Sequence, residues 1–328
     1  MRVLVVTNLT PDAASPSRGS FVRDQIQGLE DVGVDVELYS FPVGSRHYLP
    51  ATREVRHLLR RERFDLVHAH YGLPGWCAVL AGARPLIVTF HGTDVRHRIV
   101  GPLSRRLARR IDLAAGASIA LFGPEGGRRG LPRPPGPAAV LPCGADLERF
   151  APIERAEARR RLALDPAGRY LLFPAAPHRP VKRHDRAEAL ARFLDAELLT
   201  GGDVAADRMP EWMNAANAVL VTSENEGFGL VAIEALACDV PVLSTPVGVA
   251  PFLLAGIDGC LAAPFDAEGW GSVARPHLDS DDPRIAGRRR AEWFSARLMA
   301  DRVVAAYRGL LSADRSAVRP SDRGADPS

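Results

Sequence analysis

Cysteine is scarce in this chain. Four residues in 328, Cys77, Cys143, Cys238 and Cys260, lie far apart with no Cys-x-x-Cys pair. That spacing fits neither a zinc site nor a disulfide framework, and it implies reduced, mostly buried thiols in a cytoplasmic protein. Long apolar runs are missing too, so no segment approaches the length that spans a bilayer and any membrane contact is expected to be peripheral. The opening "MRVLVVTNLT" has a four-residue apolar run and then turns polar. It lacks the apolar stretch of a secretory signal and reads instead as a first β-strand. The formal charge of only +3 argues against nucleic-acid binding as the main activity.

What is present is the composition of a globular protein, 46% apolar and 25% charged, in a chain long enough for two domains. Strand-like and helix-like segments alternate. The strands "RVLVV", "VDVELYS", "FDLVHAH", "LIVTF" and "AAVLPCG" are separated by helices expected over Phe21 to Val32, Arg53 to Glu62, Trp76 to Ala81 and Leu103 to Arg110. Short Val- and Leu-rich runs between amphipathic helices indicate parallel strands covered on both faces, a doubly wound α/β half. The second half repeats the pattern with "YLLFPAA", "AELLTGG", "AVLVTS" and "PVLST". The Gly- and Pro-rich stretch from Gly123 to Val140 reads as a loop within the first domain. The expected organisation is therefore a first Rossmann-like domain over 1–148, a second over 149–295, a helix over 296–311 returning to the first domain, and a disordered tail over 312–328.

Two arginine clusters stand out, one at Arg53, Arg56, Arg60, Arg61 and Arg63, the other at Arg96, Arg98, Arg105, Arg106, Arg109 and Arg110. They read either as solvated helix faces or as a surface for anionic lipid or a phosphorylated acceptor.

The most informative stretch is "TSENEGFGLVAIEALACDVPVLSTPVG", Thr222 to Gly248. It forms a βαβ unit with "ENEGFG" at the carboxyl end of a strand, where open α/β sheets place ligands. Gly227 and Gly229 let backbone approach a ligand, and the amides of Phe228, Gly229 and Leu230 at a helix N-terminus suit a phosphate. Glu226 lies on the loop and Glu234 one turn into the helix. Carboxylates repel phosphate, so these two are expected to accept hydrogen bonds from sugar hydroxyls. A nucleotide diphosphate-sugar satisfies all three elements.

This stretch resembles the signature of the retaining glycosyltransferases of family 4, which have the GT-B fold of two Rossmann-like domains facing across a cleft. "TFHGTDV" at Thr89 to Val95, "VLPCGADLERF" at Val140 to Phe150 and "RPVKR" at Arg179 to Arg183 are similar to other motifs of that family. The resemblance implies that Glu226 contacts donor sugar hydroxyls and Glu234 the nucleotide ribose, while Lys182 neutralises the departing diphosphate. It implies a place for Arg179 beside Lys182, although the family pattern sets its arginine earlier, where this chain has Pro177. His91 is similar to the family's first-domain histidine near the reacting sugar, and Gly19 stands on the acceptor side.

Gly19 is the one glycine of a first loop where the family often has two, and "VGVAPF", with Gly248, Val249 and Phe252, replaces the family's diglycine and glutamate. The interval from Lys182 to Glu226 is also short. "DSDD" at Asp279 to Asp282 lies outside the sheet pattern and reads as a loop, so no metal site is expected. The resulting expectation is a metal-independent retaining hexosyltransferase without a cofactor, acting on a glycan, lipid-linked or small-molecule acceptor. Two alternatives remain: a nucleotide-sugar epimerase of the same architecture and a non-catalytic member that binds a nucleotide sugar or a partner.

Overall fold

The computed structural model describes residues 1–9, 19–117, 137–282 and 284–317. Most of the Gly- and Pro-rich stretch and the tail beyond 317 lie outside them. The chain divides into two compact units.

The first unit comprises Met1–Leu9, Leu29–Leu141 and the chain from Ala300. Its sheet contains β1 (Arg2–Thr7), β2 (Asp35–Ser40), β3 (Leu66–His70), β4 (Leu86–Phe90), β5 (Leu113–Gly116) and β6 (Ala138–Val140), in the order β2-β1-β3-β4-β5-β6. Every pairing is parallel. Strands β3, β4 and β5 are buried along their whole length, as continuous apolar runs require when helices cover both faces. Leu4, Val6, Val67, Leu86, Val88 and Phe90 lie at the centre of the core on one face.

The second unit comprises Thr10–Gly28 and Pro142–Met299. Its strands are β7 (Tyr170–Phe173), β8 (Glu197–Thr200), β9 (Ala218–Val221), β10 (Val242–Ser244) and β11 (Leu261–Ala262). They form a wholly parallel sheet in the order β11-β10-β9-β7-β8. The order reverses between β7 and β9, so the loops leaving these two strands diverge and open a crevice at their carboxyl ends. Trp270, fully buried against Leu171, Leu190 and Leu220, anchors the core beneath.

The structure departs from the sequence reading in several places. The chain passes between units at Leu141/Pro142, ahead of Glu148, and the segment with Gly19 clusters with the second unit. The helix expected from Arg53 begins at Ser45 and carries Pro50 inside it. Proline removes one intrahelical donor, but the helix is held by burial of Ala51, Thr52 and Val55 and by Tyr48 packed edge-on to Phe41. The last helix runs Ala296–Ala317, past the expected start of a tail at Ser312.

That last helix is tied to the first sheet by one buried hydrogen bond, Tyr307 hydroxyl to His68 Nδ1 at 2.7 Å, with both side chains fully buried. Removing one partner of a buried bond leaves the other desolvated and unpaired. Tyr307→Phe should therefore destabilise the first unit by about 1–3 kcal/mol, read as a lower denaturation midpoint for the transition that exposes it. An unchanged midpoint would mean that water replaces the hydroxyl without loss.

Candidate functional site

The candidate donor site is assembled at the switch point of the second sheet from the segments following β7, β9 and β10. After β7 the chain makes a 3-10 turn, Pro180–Lys182, and Arg183 then enters the left-handed region at φ 53 before the helix His184–Leu194. Two residues, Thr222 and Glu224, clasp this turn to the loop after β9. The buried Thr222 hydroxyl lies 2.9 Å from the carbonyl of Lys182 and 3.0 Å from that of Arg183, and the Glu224 amide donates to the Val181 carbonyl at 2.9 Å. Arg183 extends the clasp through Glu224 and Asp185.

The clasp brings Lys182 to Glu226. Lys182 Nζ donates to Glu226 Oε1 at 2.6 Å, and the Ser223 hydroxyl donates to the same oxygen at 2.6 Å. Both partners are largely buried, with 16% and 15% of their side chains exposed. Oε1 thus carries the intramolecular bonds, and among the described residues Oε2 has no hydrogen-bond partner. A group arriving with a hydroxyl could donate to Oε2 without first breaking the ion pair.

Beyond Glu226, Gly227 and Phe228 lead into the helix Leu230–Ala237. Its N-cap is Gly229 at φ 97, and no side chain caps it. Its leading amides remain available to an anion. The loop after β10 supports this turn closely. The Val249 amide donates to the Phe228 carbonyl at 2.7 Å, and a Cβ on Gly248 would stand 2.2 Å from that carbonyl oxygen. Gly248 is also at φ 56, so two independent constraints require glycine there. Phe228 is buried and meets Phe294 edge-on at 5.8 Å. Arg179, by contrast, is exposed at the start of the 3-10 turn and makes no side-chain hydrogen bond among the described residues.

Glu234 is half-buried on the same helix. Burial pushes its carboxyl pKa up to about 7, the charge of Arg149 acts against that rise, and Asp24 adds to it. Arg149 and Asp24 are themselves paired at 3.0 Å. Arg149 belongs to "ADLERF", where Asp146 accepts from the amides of Glu148 and Arg149. Asp24 stands on the helix Ser20–Asp31, whose start is shaped by Gly19 at φ 73 with its carbonyl accepting from Val22 and Arg23.

In the first unit His91 follows β4 and is half-buried. Its backbone amide donates to Asp94 Oδ1 at 3.1 Å, and the other oxygen of Asp94 accepts from Gly72 at 3.0 Å. The buried Asp94 carboxyl therefore staples the loops after β3 and β4 together. Desolvation raises its pKa to about 6 despite these bonds. Around His91 the sequence reading missed two neighbours. His70 Nδ1 lies 3.2 Å from His91 Nε2, and the ring of Tyr71 stacks on that of His91 with centroids 4.5 Å apart. The adjacent "HAHY" was the available signal, since alternate residues of a strand share a face, but nothing in the sequence placed that strand end beside His91. Ser223, Arg149 and Asp24 were missed likewise.

Arg53, Arg56, Arg60, Arg61 and Arg63 are exposed on the first unit, as are Arg98, Arg106, Arg109 and Arg110 of the second cluster. Arg105 instead donates to the Val95 carbonyl, and Arg110 also covers the ring of Trp76. No helix among the described residues is long and apolar enough to cross a membrane, and none of the His, Cys, Asp and Glu clusters there could hold a metal ion.

The sequence matches two family descriptions, Glycosyltransferase Family 4 over residues 2–149 and Glycosyl transferases group 1 over residues 173–275. It is similar to a D-inositol 3-phosphate glycosyltransferase of Streptomyces avermitilis, with 30% identity over 78% of this chain and 68% of that protein. A protein of the same name from Kineococcus radiotolerans is 28% identical over 96% of this chain and 82% of its own length. Among solved structures, the sucrose-phosphate synthase of Thermosynechococcus elongatus superposes with a TM-score of 0.70 at 20% identity, over 95% of this chain and 99% of that one. Anabaena HepE, solved in complex with UDP and glucose, gives 0.67 at 19% identity, over 94% of this chain and all of that one at 100%. The structural likeness shows the fold, and the sequence matches carry the relationship: the chain belongs to glycosyltransferase family 4 and is a glycosyltransferase of GT-B fold.

Proposed function

We propose that the protein transfers a sugar from a nucleotide diphosphate-sugar to an acceptor, with retention at the anomeric carbon and without a metal or other cofactor. The observation that carries this reading is the Lys182–Glu226 pair set beside the uncapped, glycine-entered N-terminus of the helix Leu230–Ala237. A diphosphate needs positive partners that grow in value as the bond to the sugar breaks, and Lys182 with the helix amides supplies them where a divalent cation would otherwise serve. Glu226 accepts from the sugar through its unused oxygen. Glu234, a turn further along, accepts from the ribose. Arg179 is exposed and can turn toward the diphosphate. Membership of family 4 supports retention, and His91 fits a place beside the reacting sugar. The inositol phosphate named for the curated relatives makes a small phosphorylated polyol the first acceptor to try.

A panel of nucleotide sugars, each with and without candidate acceptors, tests the reading through release of free nucleotide. Acceptor-dependent release that persists in excess chelator is the expected result. Isomerised donor would point to an epimerase, no turnover of any donor to a binding protein, and activity restored only by added magnesium or manganese would remove the metal-free reading.

The three charged residues separate by role. Glu234→Ala removes an interaction present in both ground and transition states, so donor KM should rise more than kcat falls. Lys182→Ala should depress kcat by roughly 100-fold or more, the scale for losing a donor aimed at developing charge. Glu226→Ala should impair transfer while sparing affinity for the sugar-free nucleotide diphosphate. Calorimetry and steady-state kinetics distinguish these outcomes, and loss of nucleotide affinity in Glu226→Ala with retention in Glu234→Ala would invert the assignments.

The raised pKa of Glu234 adds a pH signature. A carboxyl shifted upward becomes a full acceptor only as pH rises through about 7, so nucleotide diphosphate binding should strengthen across that range. The diphosphate titrates as well, so the comparison is with Glu234→Gln, which keeps the shape and cannot ionise. Calorimetric titrations at several pH values should show a shallower dependence in the variant, and equal slopes would dissociate Glu234 from the ribose.

A further inference from the structure

The first unit contains a column of rings that the proposed reaction does not by itself explain. His68 and His70 project from the same face of β3 and stack with centroids 4.5 Å apart. His68 is bonded on both nitrogens, Nδ1 to the Tyr307 hydroxyl and Nε2 to the Thr89 hydroxyl, each at 2.7 Å. It is thereby immobilised, and it fixes the plane on which His70 rests. His70 is also buried, and its Nδ1 faces His91 Nε2 at 3.2 Å. Against one face of His91 lies the ring of Tyr71, tilted by only 25°.

Tyr71 reaches this position at a conformational cost. Its backbone sits at φ 74, ψ 154, a region that a residue with a Cβ seldom occupies. Such strain persists only where surrounding structure imposes it. Here the Tyr71 amide donates to the Thr89 carbonyl and the next amide, Gly72, is held by Asp94. The consequence of the strain is the stacked tyrosine ring, so His91 is held on one face by Tyr71 and at its edge by His70.

Two nitrogens that face one another across a hydrogen bond share one proton between them. If His70 Nδ1 carries it, His91 Nε2 is an acceptor and the neutral His91 ring carries its proton on Nδ1; if His91 Nε2 carries it, the neutral ring has no proton on Nδ1. Either way the tautomer of the neutral His91 ring is tied to that of His70, because a second proton on the shared edge would set two N–H groups against each other. Burial disfavours the charged forms of all three histidines, and positive charge on His70 would further disfavour it on His68 and His91. Titratable groups about the pair among the described residues include Tyr307 behind His68, Tyr71 on one face of His91 and Asp94 at its backbone.

We propose that His70 is a positioning residue that holds His91 in a single neutral tautomer, so that the His91 imidazole meets a substrate with one fixed hydrogen-bonding polarity. Its value for transfer rests on the reading that His91 lies beside the reacting sugar. The tautomer itself does not.

The test is the imidazole nitrogen spectrum of histidine-15N-labelled full-length protein, with His91 assigned from the resonances lost in His91→Asn. In the wild type, His91 should show two widely separated nitrogen shifts, one protonated and one bare, constant through neutral pH. His70→Phe keeps the ring stack and removes the hydrogen bond, so the His91 shifts should move toward averaged values and kcat should fall on the order of tenfold, about the worth of one hydrogen bond, with donor KM little changed. His70→Asn, whose terminal atoms fall near the Nδ1 position, should keep the separated shifts. An unmoved His91 spectrum in His70→Phe overturns the proposal. Should that variant fail to fold, His70→Gln, which carries its amide past the Nδ1 position, replaces it: averaged His91 shifts support the pairing and unmoved shifts overturn it. Released His91 shifts with an unaltered transfer rate would uphold the pairing and instead count against the placement of His91 beside the sugar.

Discussion

The ion pair between Lys182 and Glu226 is the constraint on which the donor site depends. A carboxylate next to an uncapped helix N-terminus would fold back onto the amides or repel an arriving diphosphate. A lysine alone at that depth would be a desolvated charge. Together at 2.6 Å they hold each other in place. The geometry is imposed from outside the pair, by the clasp of Thr222 and Glu224 on the 3-10 turn and by the Ser223 hydroxyl on Glu226. These constraints leave one carboxylate oxygen and the lysine's other protons available, so a ligand can be bound without dismantling the site. The result is preorganisation, in which the cost of arranging charges is met during folding rather than during reaction.

The same logic explains why glycine is favoured at 229 by its positive φ and required at 248 by both φ and space. Gly229 bends the chain so that helix amides meet the crevice, and Gly248 lets the next loop press against the Phe228 carbonyl. The family pattern has a further glycine and a glutamate after this point, and here "VGVAPF" places Phe252 exposed on the surface instead. The supporting contact from Val249 to Phe228 survives that change because it uses backbone alone.

Much of this was legible in the sequence. Continuous apolar runs marked the parallel strands, since a strand buried on both faces needs no polar alternation, and glycine, glutamate and helix spacing pointed to the segment after β9 as the candidate donor site. Local pattern failed where tertiary packing overrode it. The helix from Ser45 was hidden by Pro50, whose lost hydrogen bond is offset by burial of its neighbours, and the last helix extends beyond the point where composition turned small and charged. Contacts between distant segments were not legible at all. The pairing of Arg149 with Asp24 near Glu234, and of His70 with His91, joins residues far apart in the chain, and no local spacing encodes that.

The two halves also differ in the kind of interaction they offer, and the difference follows from where charge develops during sugar transfer. In the proposed transfer the leaving diphosphate gains negative charge, and the second unit carries a lysine and uncapped helix amides that would answer it. The attacking hydroxyl of an acceptor is neutral. The first unit accordingly places His91 among uncharged rings, with its neighbours held neutral by burial and the one nearby carboxyl, Asp94, turned onto backbone amides. A charged group at His91 would have to desolvate anew at each turnover, whereas a neutral imidazole held by its neighbours presents the same hydrogen bond every time.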